Sequence, residues 1–275
     1  MLVGKFFRNI NQKNKNHYFS GLSFNSKNVK KNNIFFAIRG NNINGKKYIK
    51  EAIRNGATTI VSNINFRGKK NKVLYIKTKN SRKLLSEVAT KFYTSKPLNL
   101  VAVTGTNGKS SVADFYFQIL KLNNKKVASI GTLGVKTHLN NLKINNTTLD
   151  PISLNKHLQK IKKYKIENVI LEASSHGLKQ NRLDGLSFKT GIFTNLSRDH
   201  LDYHKSYKDY LNSKLLLFKN LLKKNSNIIT DINIPQYKII KNIAKRKKLK
   251  IYTVESAKSS LELIKHNYKN DKQAF

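Results

Sequence analysis

Apolar and polar positions along this chain alternate between two spacings. Short runs that are apolar almost throughout, at 34–38, 58–61 and 73–76, read as buried strands. Segment 46–54 instead sets Tyr48, Ile49, Ala52 and Ile53 on one helical face, with Gly56 placed to stop it, and 81–92 repeats that period. Lys96-Pro97 marks a linker, because proline and its polar neighbours break both patterns. Beyond it the alternation becomes regular. Strands are predicted at 99–103, 126–130, 168–172, 189–195, 227–230 and 249–253, with helices at 112–122, 152–164, 207–222 and 236–246. Repeated β–α units predict a mostly parallel sheet with helices on both faces. The reading is therefore α/β throughout, with a smaller domain at 1–97 and a larger one at 98–275. No repeat of about 20–50 residues is visible.

Composition changes this picture little. A length of 275 residues suits two cores better than one. Cysteine is absent, which removes disulfides and thiolate metal sites and fits a reducing compartment. No secretory leader pattern follows Met1, and no apolar run reaches the roughly 18 residues of a membrane span. The expectation is a cytoplasmic protein with no membrane partner. Lys and Arg number 54 against 14 Asp and Glu, a formal charge of +40. Charge of that size invites a nucleic-acid reading. The lysines, however, are scattered among Asn, Ile and Phe in the manner of an AT-rich genome, and no stacking platform interrupts them. A specific nucleic-acid partner is not expected, although small anions should be drawn to the surface.

The chemistry concentrates in four places. Val101-Ala-Val-Thr runs into Gly105-Thr-Asn-Gly-Lys-Ser-Ser111 and then into a helical pattern. A strand, a glycine turn and a helix N-terminus form a phosphate cradle of backbone N–H groups. Lys109 adds a point charge, and a hydroxyl is placed for Mg²⁺. The longer G-x-x-x-x-G-K-[ST] pattern fails at Val103. Asn146-Thr147-Thr148-Leu-Asp150 is a polar turn before a helix, equally readable as an N-cap. Glu172 ends a buried apolar strand and is followed by Ala-Ser174-Ser175-His176. A carboxylate there needs a partner or a metal, and beside a phosphate loop the metal is Mg²⁺. Ser174, Ser175 and His176 lack the elbow of a serine hydrolase. Finally, Thr194-Asn195-Leu-Ser-Arg-Asp199-His200-Leu-Asp-Tyr-His204 gathers ionisable groups after another strand. His200 and His204 have the spacing of a zinc helix, but Leu201 stands where its glutamate belongs.

The order of these stretches resembles the Mur ligases, and among them the branch that adds the third amino acid of the peptidoglycan stem. The resemblance extends through Gln180-Asn-Arg182, through Tyr210-x-x-x-Lys214-x-x-Leu217-Phe218, and to Asn25-Ser26-Lys27 and 34–45 near the start. It implies a small N-terminal uridine-nucleotide-binding domain and a phosphate-loop central domain. It further implies ATP on Gly105, Thr106, Asn107, Gly108, Lys109, Ser110, Ser111 and Asn195. Metal would be held by Ser110, Glu172, His200 and Lys214, the last carbamylated, with Lys109, Lys214 and His200 serving catalysis. The UDP-N-acetylmuramoyl-dipeptide would meet Phe24, Ser26, Asn41, Asn42, Ile43, Asn146, Thr147, Thr148, Ser174, Gln180 and Arg182.

The implied reaction is amide formation driven by ATP. A D-Glu carboxylate takes the γ-phosphoryl group, and the amine of an incoming amino acid displaces phosphate. Family frequency favours meso-diaminopimelate, with L-lysine second. The resemblance also implies a third domain beyond the central one, whereas Lys- and Asn-rich sequence follows Ile251-Tyr-Thr-Val254 and the chain stops at Phe275. The chain thus reads as a fragment, a frameshifted product, half of a split ligase that needs a separate C-terminal chain, or a non-catalytic nucleotide binder. An unpaired edge is expected where the central sheet stops.

Overall fold

A computed structural model describes residues 1–8, 10–40, 43–144, 146–254, 259–261, 267–269 and 272–274. Asn41 and Asn42 lie outside the described residues. Two compact units are present, one comprising Met1–Thr94, Asp150–His157 and Gln180–Gly185, the other Ser95–Leu149, Leu158–Lys179 and Leu186–Phe275.

The first unit is built on five strands: β1 (Gly21–Ser23), β2 (Asn33–Phe36), β3 (Ala57–Ser62), β4 (Gly68–Lys70) and β5 (Val73–Lys77). Their order is β1-β2-β3-β5-β4, parallel except for the β4–β5 hairpin. Helices α1 (Ile49–Arg54) and α2 (Ser81–Phe92) accompany them. The apolar run of β2 is continuous because both of its faces are covered. Ile34 and Phe36 join one core with Val61, Leu74, Ile76 and the α2 residues Leu85, Val88 and Ala89. Phe35 and Ala37 join the other, with Ile60, Val73 and Ala52 of α1. Phe19 completes the first core edge-on to Phe6, with ring centroids 5.0 Å apart. Asn80 caps α2 by accepting from the Lys83 N–H at 2.9 Å.

The second unit contains β6 (Asn99–Thr104), α3 (Lys109–Leu122), β7 (Val127–Gly131), β8 (Gly134–Thr137), β9 (Asn141–Leu142), α4 (Pro151–Lys163, whose first turns belong to the first unit) and β10 (Asn168–Glu172). There follow α5 (Ser175–Lys179), β11 (Phe188–Phe193), α6 (Tyr207–Leu216), β12 (Leu222–Asp231), α7 (Tyr237–Lys247) and β13 (Lys250–Val254). Strand order is β13-β12-β11-β6-β10-β7-β8-β9. Six strands from β13 to β7 run parallel, while β7, β8 and β9 pair antiparallel. The chain leaves β6 towards β7, then returns through β10 to β11 on the other side of β6. Right-handed crossovers therefore put α3 on one face and α6 and α7 on the other. The reversal opens a crevice at the carboxyl ends of β6, β10 and β11, where ligands bind in such sheets.

Three local features depart from the periodicity. The helix expected over 207–222 stops at Leu216, and a π-turn (Leu217–Leu221) takes over; such turns concentrate at functional sites. Strand β12 starts at Leu222 rather than 227, because its register against β11 slips between Phe188 and Thr190 and absorbs a polar stretch. Short β1, β4, β8, β9 and α5 carry too few residues to show a period. Strand β13 is outermost among the described residues, and Leu261 and Ser260 partly cover it through bonds with Thr253.

Candidate nucleotide site

Three strand ends supply the site. At the end of β6 the chain turns through Gly105, at φ +153°, and a Cβ there would overlap Oγ1 of Thr194. Only glycine lets the loop pass this close to the end of β11. The loop is fastened to that strand's exit. Thr106 N–H donates to the Asn195 carbonyl (2.9 Å), Asn107 N–H to Asn195 Oδ1 (3.0 Å), and Thr194 Oγ1 to the Asn107 carbonyl (2.6 Å). Thr106 Oγ1 accepts from Ser197 N–H at 3.0 Å and meets the Tyr210 hydroxyl at 3.2 Å. Gly108 precedes α3, whose first residues Lys109, Ser110 and Ser111 bring the helix N-terminus to the loop.

Lys109 folds back onto this loop, donating to the carbonyls of Gly105 (3.0 Å) and Thr106 (2.6 Å). Burial lowers its pKa, against the opposing pull of Glu172 and Asp199. Lys214, from α6, is 1% exposed and donates to the same Gly105 carbonyl at 2.6 Å. Two lysines thus share one oxygen. Lys214 Nζ also lies 4.3 Å from the centroid of the Tyr210 ring. Burial, with Lys109 as a like-charged neighbour, brings Lys214 down to about 7, which Asp199 only partly resists.

Glu172 ends β10 and is 2% exposed. Its Oε2 accepts from Ser110 Oγ (2.9 Å) and Thr132 Oγ1 (3.1 Å), and its Oε1 from Thr132 N–H (2.8 Å). A Cβ at Gly131, where β7 ends, would overlap the glutamate side chain. Thr132 Oγ1 continues to Thr147 Oγ1 at 3.0 Å. Thr148 Oγ1 donates to the Glu172 carbonyl at 2.8 Å and lies 3.0 Å from Ser174 Oγ, which accepts from Gly177 N–H. Asn146 is exposed.

His200 adopts φ +52° and is about half exposed, with its ring 5.0 Å from His176 and 6.2 Å from Tyr210. Ser110, Glu172, Thr132 and Thr147 form one hydrogen-bonded set, while Lys109 and Lys214 meet at the Gly105 carbonyl and Tyr210 lies against Thr106, Lys214 and His200 in another. No described contact places His200 on Glu172. Among the described residues no group of three His, Asp or Glu side chains is placed to hold a metal ion by itself.

Periodicity gave no sign of Thr132 or Tyr210, since a residue after a strand and a tyrosine inside a helix carry no pattern of their own. The signal for Tyr210 was its place in the Tyr210-x-x-x-Lys214 stretch, and the nearest one for Thr132 was Gly131 beside it at a strand end. His204, noted in the sequence for its spacing from His200, is enclosed instead. It is 1% exposed, with Nε2 3.0 Å from Ser175 Oγ and Nδ1 3.6 Å from Asp209 Oδ2. Ser175 is itself 2% exposed, so this Ser-His-Asp arrangement faces no substrate and ties α5 to α6. Burial lowers the His204 pKa, Lys179 acting the same way and Asp209 opposing.

In the first unit, Ser26 Oγ donates to Glu51 Oε2 at 3.0 Å, while Phe24 and Ile43 are exposed. Gln180 Oε1 accepts from Arg182 through Nε (3.1 Å) and Nη2 (2.8 Å).

Comparison with known proteins agrees with this layout. Residues 103–275 match the Mur ligase middle domain, and 18–93 match a domain described as Mur ligase family, catalytic domain. The UDP-N-acetylmuramoyl-L-alanyl-D-glutamate--2,6-diaminopimelate ligase of Rickettsia prowazekii is 39% identical over 261 residues, 94% of this chain and 54% of that protein. A ligase of the same name from Clostridium acetobutylicum is 40% identical over 204 residues, 72% of this chain and 42% of its own. A solved structure of a ligase with that name superposes at TM-score 0.86 and 26% identity, covering 99% of this chain and 56% of the other. The MurF ligase of Thermotoga maritima, solved with ADP, shares the fold at TM-score 0.57 and 20% identity, covering 92% and 54%. The chain spans about half the length of the curated relatives it matches. With its middle-domain match covering more than half of the residues, the chain belongs to the Mur ligase family.

Proposed function

We propose that this chain carries the nucleotide-binding part of an ATP-dependent ligase that extends UDP-N-acetylmuramoyl-L-alanyl-D-glutamate by one amino acid. Meso-diaminopimelate is the favoured amino acid, as in the names of the relatives, and L-lysine is second. The observation that carries the proposal is the convergence of Lys109 and Lys214 on the Gly105 carbonyl, beside a helix N-terminus and the buried Glu172. Two amines on one carbonyl oxygen hold a place for polyphosphate, which offers far better acceptors.

In the reaction a D-Glu carboxylate oxygen attacks the γ-phosphorus of ATP, the bond to the ADP oxygen breaks, and an acyl phosphate forms. The amine nitrogen then bonds to the acyl carbon, phosphate leaves, and the nitrogen gives up its proton. Every species along this path is anionic. Thr106 and Asn107 N–H are committed to Asn195, so Lys109, released from the Gly105 and Thr106 carbonyls, and the N–H groups at the start of α3 lower the cost of that charge. Asn195 keeps the loop's shape, and Ser111 sits in the first turn of α3.

Ser110, Thr132 and Glu172 offer oxygen donors only, which suits Mg²⁺ completed by water and phosphate. Bound there, the ion would neutralise phosphate charge. A Lys214 amine with pKa about 7 is largely neutral at pH 8. It can then attack CO₂, forming an N–C bond and releasing one proton, so that a neutral amine becomes an anion that, with His200, would suit a second metal ion. Thr147, Thr148, Ser174 and Asn146 line the carboxyl ends of β7 and β10 as contacts for the muramoyl dipeptide. Phe24, Ser26 and Ile43 are assigned to the uridine side of the substrate. Cytoplasmic action fits these substrates, and no described helix is long and apolar enough to cross a membrane.

The test is an acyl-phosphate trap. ATP, UDP-N-acetylmuramoyl-L-alanyl-D-glutamate and hydroxylamine are supplied to the chain, with and without the remaining half of the Rickettsia prowazekii relative as a separate polypeptide. The expected result is a D-Glu hydroxamate and ADP only when both polypeptides are present. ATP binding with no hydroxamate in either arm would leave a nucleotide-binding protein and overturn the ligase reading.

A further inference from the structure

The first unit holds a second cationic feature, away from the phosphate loop in sequence and independent of it. Helix α2 begins at Ser81, so Arg82 lies in its first turn. Arg82 Nη1 donates to Gln180 Oε1 at 3.3 Å, and its Nη2 donates to the Arg39 carbonyl at 3.2 Å. The same Gln180 oxygen accepts two N–H groups of Arg182. One neutral amide oxygen therefore receives three N–H donors from two guanidinium groups.

Neighbouring contacts fix this geometry. Asn80 Nδ2 donates to Asn181 Oδ1 (3.3 Å) and Ser86 Oγ donates to the Asn181 carbonyl (2.5 Å), which fastens 180–185 to α2. The nearby carboxylate of Asp184 accepts from Asn181, and the charges that act on it are those of Lys83 and Glu87. Arg82, Gln180 and Arg182 are all half-buried, so a ligand from solvent can reach them.

Two guanidinium charges facing an amide oxygen repel each other, and the amide carries only a partial charge to offset this. A carboxylate or phosphate oxygen in the same position would gain charge-assisted, geometrically matched bonds from both forks. The positive end of α2 adds to the attraction.

We propose that Arg82 is a substrate-binding residue that closes, with Arg182 across Gln180, a two-arginine seat for an anionic oxygen of the acyl substrate. This rests on the ligase reading, which assigns Gln180 and Arg182 to that substrate; Arg82 is the new member. The anionic oxygen belongs either to the diphosphate or to a carboxylate of the muramoyl dipeptide.

The test measures binding by calorimetry of three ligands: UDP, UDP-N-acetylmuramic acid and UDP-N-acetylmuramoyl-L-alanyl-D-glutamate. Wild type, Arg82→Gln, Arg82→Lys, Arg182→Gln and the Arg82→Gln, Arg182→Gln double variant are compared after thermal melts establish that each folds. Arg82→Gln is expected to weaken the cognate ligand at least tenfold. Arg82→Lys should recover only part, because an ammonium cannot present two parallel N–H groups. The Arg82→Gln, Arg182→Gln double variant should lose little more than either single. A loss already present with UDP assigns the diphosphate, and a loss confined to the dipeptide assigns its carboxylates. Unchanged affinity in folded Arg82→Gln overturns the proposal. If wild type binds none of the three, the ligase reading fails, and the seat is then judged by NMR with inorganic pyrophosphate and glutarate. Joint shifts of the Arg82 and Arg182 Nε–H signals sustain it, and silent signals end it.

Discussion

Lys214 shows how much of this site is decided by one side chain's surroundings. The ordinary pKa of a lysine near 10.5 falls to about 7 here. Between those values the unfolded chain holds a proton that the folded chain lacks. Folding stability contributed by this position therefore declines as pH drops from about 10.5 to about 7, and is level below that. Replacing Lys214 with Met removes the buried amine. The expected result is a higher melting temperature at pH 7, a gain of about 1–4 kcal/mol, and little gain at pH 10.5. Wild type is expected to give a carbamate signal with ¹³C-bicarbonate by NMR, and the same variant to lack it. Gly105 is the opposite case, a position with no room to give. Gly105→Ala meets Thr194 and should cost about 1–3 kcal/mol by denaturant unfolding, with loss of ATP binding. Glycine at this position was legible from the loop motif. The depressed lysine was not, because burial and the nearness of Lys109 arise only when α6 packs against the loop.

At the scale of elements, strand ends rather than strands carry the chemistry. Strands β6, β7, β10 and β11 each deliver a polar residue immediately after an apolar run, and the run itself is what the periodicity reports. Strands β2, β3, β5, β6 and β10 were legible because burial on both faces leaves an unbroken apolar signature. Short β8 and β9 were not, since strands of four and two residues hold no period. Their hairpin nevertheless follows the turn bearing Thr132, whose hydroxyl and N–H both hold Glu172. Thr132→Val keeps the shape and the N–H bond but deletes the hydroxyl. Leaving a buried carboxylate short of one donor costs about 1–3 kcal/mol. Urea unfolding should show that loss, and Mg²⁺-dependent nucleotide binding should weaken with it. The handover from α6 to a π-turn also escaped the sequence, because 217–221 continues the apolar pattern of the helix before it.

At the scale of the whole molecule, the excess of basic residues and the phosphate loop make different claims about what is bound. Forty surplus positive charges spread over the chain predict weak, non-specific attraction to any polyanion. Affinity for duplex DNA should fall steeply as salt rises from 50 to 200 mM, by about a thousandfold if roughly six phosphates are contacted, and should not require Mg²⁺. ATP binding should respond far less to salt and depend on the ion. The α/β architecture was readable from β–α alternation, and the phosphate loop from its glycine motif between a strand and a helix. The antiparallel extension of the sheet, the fastening of 180–185 to α2 and the Tyr210 hub depend on long-range packing that local patterns do not record.

Calorimetric titration of ATP with Mg²⁺ into wild type and Lys109→Met tests the central claim most directly. The account predicts saturable one-to-one binding that disappears on removing Mg²⁺ and weakens at least tenfold in the variant, about 1.4 kcal/mol or more. Equal affinity in the two proteins, or affinity that follows salt alone, would contradict it.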